Sequence, residues 1–107
     1  MSVVLVETYL AKHEKQMEFQ KLLQDFLQFK KANPKLFEGL KSWKLFQQEY
    51  GSVGNLYIEM WEFENLQDME TISTNIFENR EMKRIQAAFH TLIDHTTFSK
   101  YIWKTVA

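Results

Sequence analysis

The chain has 107 residues with 13 basic and 14 acidic side chains, a net charge of -1, and is 45% hydrophobic and 15% aromatic. This balance offers no basic stripe to nucleic acid or an anionic membrane, and the absence of cysteine excludes disulfides, thiolate nucleophiles and zinc–thiolate sites. No apolar run reaches membrane-spanning length, and the size is that of one domain, residues 1–107, too small to cover much of its own surface without a partner copy.

The first residues lack a basic n-region and carry Glu7, so they do not read as a signal peptide, and a cytoplasmic location is expected. Val3 to Leu10 is rich in β-branched residues and predicts a strand apolar on both faces. Val4, Val6, Thr8 and Leu10 share one side; Val3, Leu5, Glu7 and Tyr9 share the other. From Glu14 to Asn33 the period changes to 3.6, with Phe19, Leu22, Leu23, Phe26, Leu27 and Lys30 on one stripe. Such a stripe is ordinarily core packing, although Phe19 and Phe26 are also conceivable as a ligand wall. Pro34 ends this helix. Leu40 to Tyr50 predicts a more polar edge strand, with Trp43 and Leu45 on one face, and residues 51–55 supply a turn.

Leu56 to Phe63 is the most hydrophobic stretch, with Leu56, Ile58 and Met60 on one side and Tyr57, Trp61 and Phe63 on the other. A strand apolar on both faces belongs in the middle of a sheet covered from both sides. Asn65 then caps a helix through Asp68, with an interruption expected at Ser73–Asn75. A longer helix with Met82, Ile85, Phe89, Leu92 and Ile93 on its stripe should reach about Asp94, and Phe98 to Val106 predicts the last strand. The order βαββαβ implies an α+β fold of ferredoxin-like type, an antiparallel four-stranded sheet in spatial order 4-1-3-2 with the helices on one face. The bare face retains large apolar residues, so a homodimer through that open sheet face is expected.

Two stretches carry a resemblance. Thr8 to Phe19, Thr-Tyr followed by a turn and a Glu-Phe in the helix, resembles the opening of NIPSNAP-like proteins, and Leu56 to Glu64 resembles the Trp-Glu segment of antibiotic-biosynthesis-type monooxygenases. The resemblance implies a dimeric α+β barrel, in which two ferredoxin-like subunits join their sheets. The asparagine, tryptophan and histidine of heme-degrading members fall at Glu7, about Glu70 and about Glu81, so heme oxygenation of that type is not implied. Glu7 also replaces the NIPSNAP-like arginine, and His13-Glu14 replaces the Pro-Gly of the turn.

The candidate ligand-binding residues are Glu7, Tyr9, Glu59 and Trp61, because a carboxylate on a central apolar strand must be hydrogen-bonded, paired, protonated or set in a wet cavity. A salt bridge to a lysine or to a dimer-mate is the structural alternative. If the two carboxylates meet, their repulsion raises one pKa and supplies a general acid or base. His13, His90 and His95 lack metal-site spacing, and His95 is more simply a cation at a helix C-terminus. No nucleotide-binding or serine-hydrolase motif is present, nothing calls for a cofactor or metal, and no catalytic set is identifiable. Two functions follow: a small dimeric barrel that binds an apolar or aromatic ligand between sheet and helices or serves a structural role, and, as the alternative, a cofactor-independent monooxygenase or isomerase acting on an aromatic or polyketide-like compound.

Overall fold

A computed structural model describes residues 2–107. Strand β1 (Val3–Ala11) leads through a 3-10 turn (His13–Lys15) into helix α1 (Gln16–Ala32), followed by strands β2 (Ser42–Gln47) and β3 (Tyr57–Phe63), helices α2 (Leu66–Glu78) and α3 (Arg80–Leu92), and strand β4 (Ile93–Lys104). The strands form one antiparallel sheet in the order β2-β3-β1-β4, the ferredoxin-like order that the sequence predicts. Its two central strands are the two that are apolar on both faces.

The register of β1 with β3 pairs Leu5 with Trp61, Glu7 with Glu59 and Tyr9 with Tyr57. Successive side chains alternate across a sheet, so these six share one face. Val3, Leu5, Tyr9, Tyr57, Trp61 and Phe63 of that face join Phe19, Leu22 and Phe26 of α1, Ile76 of α2, and Met82, Ile85 and Leu92 of α3 in a single buried cluster. The other face presents Val4, Val6, Ile58 and Met60, flanked by Phe46, Tyr101 and Trp103, and none of these belongs to the cluster. Phe46, Tyr101 and Trp103 are about half exposed.

Asn33 closes α1, its amide side chain donating to the Phe29 carbonyl at 2.9 Å, one residue before the proline. On the α1 stripe Leu27 lies at the solvent border, and the Lys30 ammonium sits 5.8 Å from the centre of the Phe37 ring. In the β2–β3 hairpin Gly51 and Asn55 adopt positive φ (152° and 63°), the freedom for which glycine and asparagine are suited. The Asn65 side chain accepts from the Asp68 amide at 2.8 Å, the expected cap of α2.

Several boundaries differ from the sequence expectation: β2 is shorter than Leu40–Tyr50, and β4 ends at Lys104, before Val106. The break between the last helices falls at Asn79 instead of Ser73–Asn75, because the Asn79 side chain caps α3 by accepting from the amides of Glu81 and Met82. Ile93 and Asp94 are extended and already in β4, not helical. Ile93 pairs with Ala11 and Asp94 with Leu10, across a bulge that the Thr97 hydroxyl bridges by accepting from the Leu10 amide and donating to the Asp94 carbonyl. His95 therefore lies in a strand, yet its Nε2 still donates to the helix-terminal carbonyl of His90 at 2.6 Å.

Phe26 is buried against Phe37, Trp43 and Trp61, whereas Gln24 of the same helix is exposed. Phe26→Ala is expected to cost about 3–5 kcal/mol in urea unfolding, and Gln24→Ala to change it by less than about 0.5 kcal/mol. Equal losses would contradict this helix orientation.

Candidate functional site

The alternation of β1 and β3 directs two carboxylates into the layer between sheet and helices, where only apolar side chains are otherwise expected. Glu7, Tyr9, Glu59 and Trp61, the four candidate residues, all line one half-open cleft, with Trp43 and Leu45 from β2 completing its floor. Phe19, Leu22, Leu23 and Phe26 of α1 form one wall, and Phe77 with Met82, Ile85, Gln86 and Phe89 the other. Phe19 and Phe26 thus serve both as core and as cleft wall. The free space inside is about 50 Å³, enough for a few atoms and far below the roughly 300 Å³ or more of drug-sized ligand pockets.

The two carboxylates stand in different surroundings. Glu59 Oε1 accepts from the Tyr9 hydroxyl at 2.8 Å, while Oε2 accepts from the indole nitrogens of Trp61 at 2.5 Å and Trp43 at 3.4 Å. An indole N–H can only donate, so this ring of donors is built around a carboxylate and fixes it. Burial raises the Glu59 pKa, and the bonds from Tyr9, Trp61 and Trp43 oppose the rise. Burial, followed by the charge of Glu59, pushes the Tyr9 hydroxyl far above the usual phenol range, so it stays a donor.

Glu7 has no such ring. Its neighbour across β4 is Lys100, but the ion pairs among the described residues, Lys41–Glu64 and Arg84–Glu81, lie elsewhere. No side-chain hydrogen bond holds its carboxylate among the described residues, so the lysine salt bridge considered as the structural alternative does not form within this chain. Burial first, then the charge of Glu59, push its pKa up to about 7, with Lys100 opposing. One carboxylate is thus fixed by donors, and the other changes its proton near neutrality.

Trp43 was not among the residues singled out from the sequence. Its signal is the β2–β3 register, which sets Trp43 opposite Trp61 and Leu45 opposite Glu59, a pairing that no single strand reveals. Gln86 and Phe89 reach the cleft only through the packing of α3. At the end of the sheet a wider groove of about 490 Å³, lined by residues that include His13, Gln16, Gln47 and Asn55, contains no carboxylate.

No protein-family model and no curated protein matches the chain. Solved structures do. A NIPSNAP family protein from Agrobacterium tumefaciens str. C58 superimposes with a TM-score of 0.75 at 17% identity, covering 99% of this chain and 94% of that one. A proposed antibiotic biosynthesis monooxygenase from Caulobacter crescentus CB15 gives 0.73 at 16% identity over 99% and 91%. A dimeric protein of unknown function with a ferredoxin-like fold from Bacteroides fragilis NCTC 9343 gives 0.66 at 10% identity over 97% and 96%. The chain shares its fold with NIPSNAP family proteins. At these identities the likeness is one of fold.

The contrast between the carboxylates has measurable consequences. Between Glu7's ordinary 4.5 and its folded value of about 7 the native state holds more protons than the unfolded chain, so stability falls as pH rises through this window. The whole cost, roughly 3 kcal/mol, is present above pH 7. Glu7→Gln should therefore leave stability unchanged near pH 4 and raise it by up to about 3 kcal/mol at pH 8. Glu59→Gln should lower stability by about 1–3 kcal/mol near pH 4, since one amide oxygen cannot accept all three bonds, and because burial raises the Glu59 pKa as well, that loss should shrink as pH rises. Urea unfolding of both variants across pH 4–8 checks the contrast near pH 4, where Glu7→Gln is neutral and Glu59→Gln is not.

Proposed function

We propose that this protein is a homodimeric α+β barrel that binds a small apolar or aromatic molecule between its sheet and its helices. The supporting observation is Glu7, a largely buried carboxylate in an aromatic cleft with no hydrogen bond or ion pair among the described residues. A structural role alone gives no reason to retain a group that lowers stability, whereas residues kept for binding commonly do so. Turnover of a ring compound requires a chamber that encloses the ring, and about 50 Å³ encloses only a functional group. Binding is therefore the better-supported reading, with the ring held at the cleft mouth.

The dimer is proposed through the open sheet face. Val4, Val6, Ile58, Met60, Phe46, Tyr101 and Trp103 make that face apolar on all four strands, an arrangement that exposed monomer surfaces seldom carry. A partner docked there also removes the bare aromatic rings of β4 from water. The absence of any helix long and apolar enough to cross a membrane among the described residues accords with a cytoplasmic location, which is part of the proposal.

Sedimentation at micromolar concentration should give about twice the 12.9 kDa chain mass, and Met60→Asp should shift the species to monomer. A concentration-independent mass near 12.9 kDa for the unaltered chain would contradict the dimer. For the cleft, a thermal-shift screen of ring compounds bearing neutral, anionic and cationic groups should yield at least one that raises the melting temperature of the native chain and not of Phe89→Trp, which crowds the cleft. If none does so, the ligand-binding reading fails and a structural role is left.

A further inference from the structure

The cleft is electrically one-sided. Glu7 and Glu59 are its charged residues, and none of the lining residues is Lys, Arg or His. The groups that titrate or carry charge near Glu7 are Glu59 and Tyr57 on β3, Tyr9 on β1 and Lys100 on β4; the helical side chains lining the cleft are uncharged. Lys100 is exposed and forms no ion pair with Glu7. A dimer partner on the open face lies across the sheet from Glu7, whose register with Glu59 and Leu45 puts it on the helix side. No residue lining the cleft supplies a counter-charge, so a cationic ligand would meet an unpaired carboxylate.

We infer that the ligand of this cleft carries a primary ammonium group, seated against Glu7 beside the fixed Glu59 carboxylate, with an aromatic or apolar tail directed toward the half-exposed rim. This inference rests on the ligand-binding reading above and names its chemical class. A space of about 50 Å³ accepts an ammonium and an attached methylene and leaves a ring outside, where Leu23, Gln86 and Phe89 are partly exposed. Aromatic rings line the cleft, and a ring that turns its face to a desolvated cation attracts it. Glu59 cannot turn toward the newcomer without releasing Tyr9, Trp43 and Trp61, so it supplies field, and Glu7 supplies the contact. A cation there favours the ionised form of Glu7, so binding below pH 7 expels its proton.

The test uses the Trp103→Phe chain, which leaves Trp43 and Trp61, both at the cleft, as its tryptophans. Benzylamine, benzyl alcohol and benzoate are titrated by tryptophan fluorescence and by calorimetry between pH 5.5 and 8.5. Benzylamine should bind at pH 8 at least tenfold more tightly than benzyl alcohol, and benzoate should not bind. Its affinity should fall toward tenfold per pH unit below pH 7, with proton release seen as a buffer-dependent heat. In Glu7→Gln the preference for the amine over the alcohol should fall at least tenfold, leaving only what the Glu59 field supplies. Benzyl alcohol or benzoate binding as well as the amine, a pH-independent amine affinity, or an amine preference undiminished in Glu7→Gln would overturn the ammonium assignment and leave the ligand-binding reading standing. A cleft that responds to none of these compounds, together with a blank thermal-shift screen, would overturn both.

Discussion

The register between β1 and β3 is the constraint on which the rest depends. It sets Glu7 opposite Glu59 and Tyr9 opposite Tyr57, and thereby puts two acids and a hydroxyl inside the aromatic layer. A slip of one residue would carry every side chain of a strand to the other face. Val4, Val6 and Thr8 would then meet the helices, and Leu5 and Tyr9 would face outward. The large difference in side-chain volume between these two sets makes such a slip costly, because α1 and α3 pack against rings that only one register supplies.

Within that frame, like charges across neighbouring strands repel, and like-charged pairs directly opposite are destabilising. The fold meets this by treating the two acids differently. Three donors hold Glu59, two of them indoles placed by the β2–β3 pairing. Tyr9, which donates one of these bonds, is itself enclosed by Phe19, Tyr57, Phe89 and Phe98. The aromatic packing therefore positions a polar group. Glu7 keeps its acceptor capacity unspent, and the repulsion from Glu59 falls on its proton equilibrium.

The two faces of the sheet have contrasting chemistry. The helix side is aromatic with an acidic centre, and the open side is apolar from Phe46 to Trp103 with Lys44 and Glu62 toward the β2 edge. Glu62 accepts from the hydroxyls of Ser2 and Ser42, and these bonds hold its pKa below the usual carboxylate range. An acid on that face is satisfied locally, in contrast to Glu7.

Much of this was legible in the sequence because periodicity reports which side of an element is buried. The double-sided hydrophobicity of Val3–Leu10 and Leu56–Phe63 identified the central strands, and Glu7, Tyr9, Glu59 and Trp61 stood out as polar or hydrogen-bonding groups among apolar neighbours. The break at Asn79 and the early start of β4 were not legible, since a competing cap and a bulge bridged by Thr97 decide them. Whether the two glutamates met, and which of them was satisfied, depended on contacts between residues far apart in the chain. Trp43 reaches Glu59 from another strand, and Gln86 and Phe89 close the cleft from a helix. Local pattern determined the elements and their buried faces, whereas the pairing of strands in three dimensions decided which acid is fixed and which is free, because hydrogen-bond geometry is set by register and packing and not by sequence spacing.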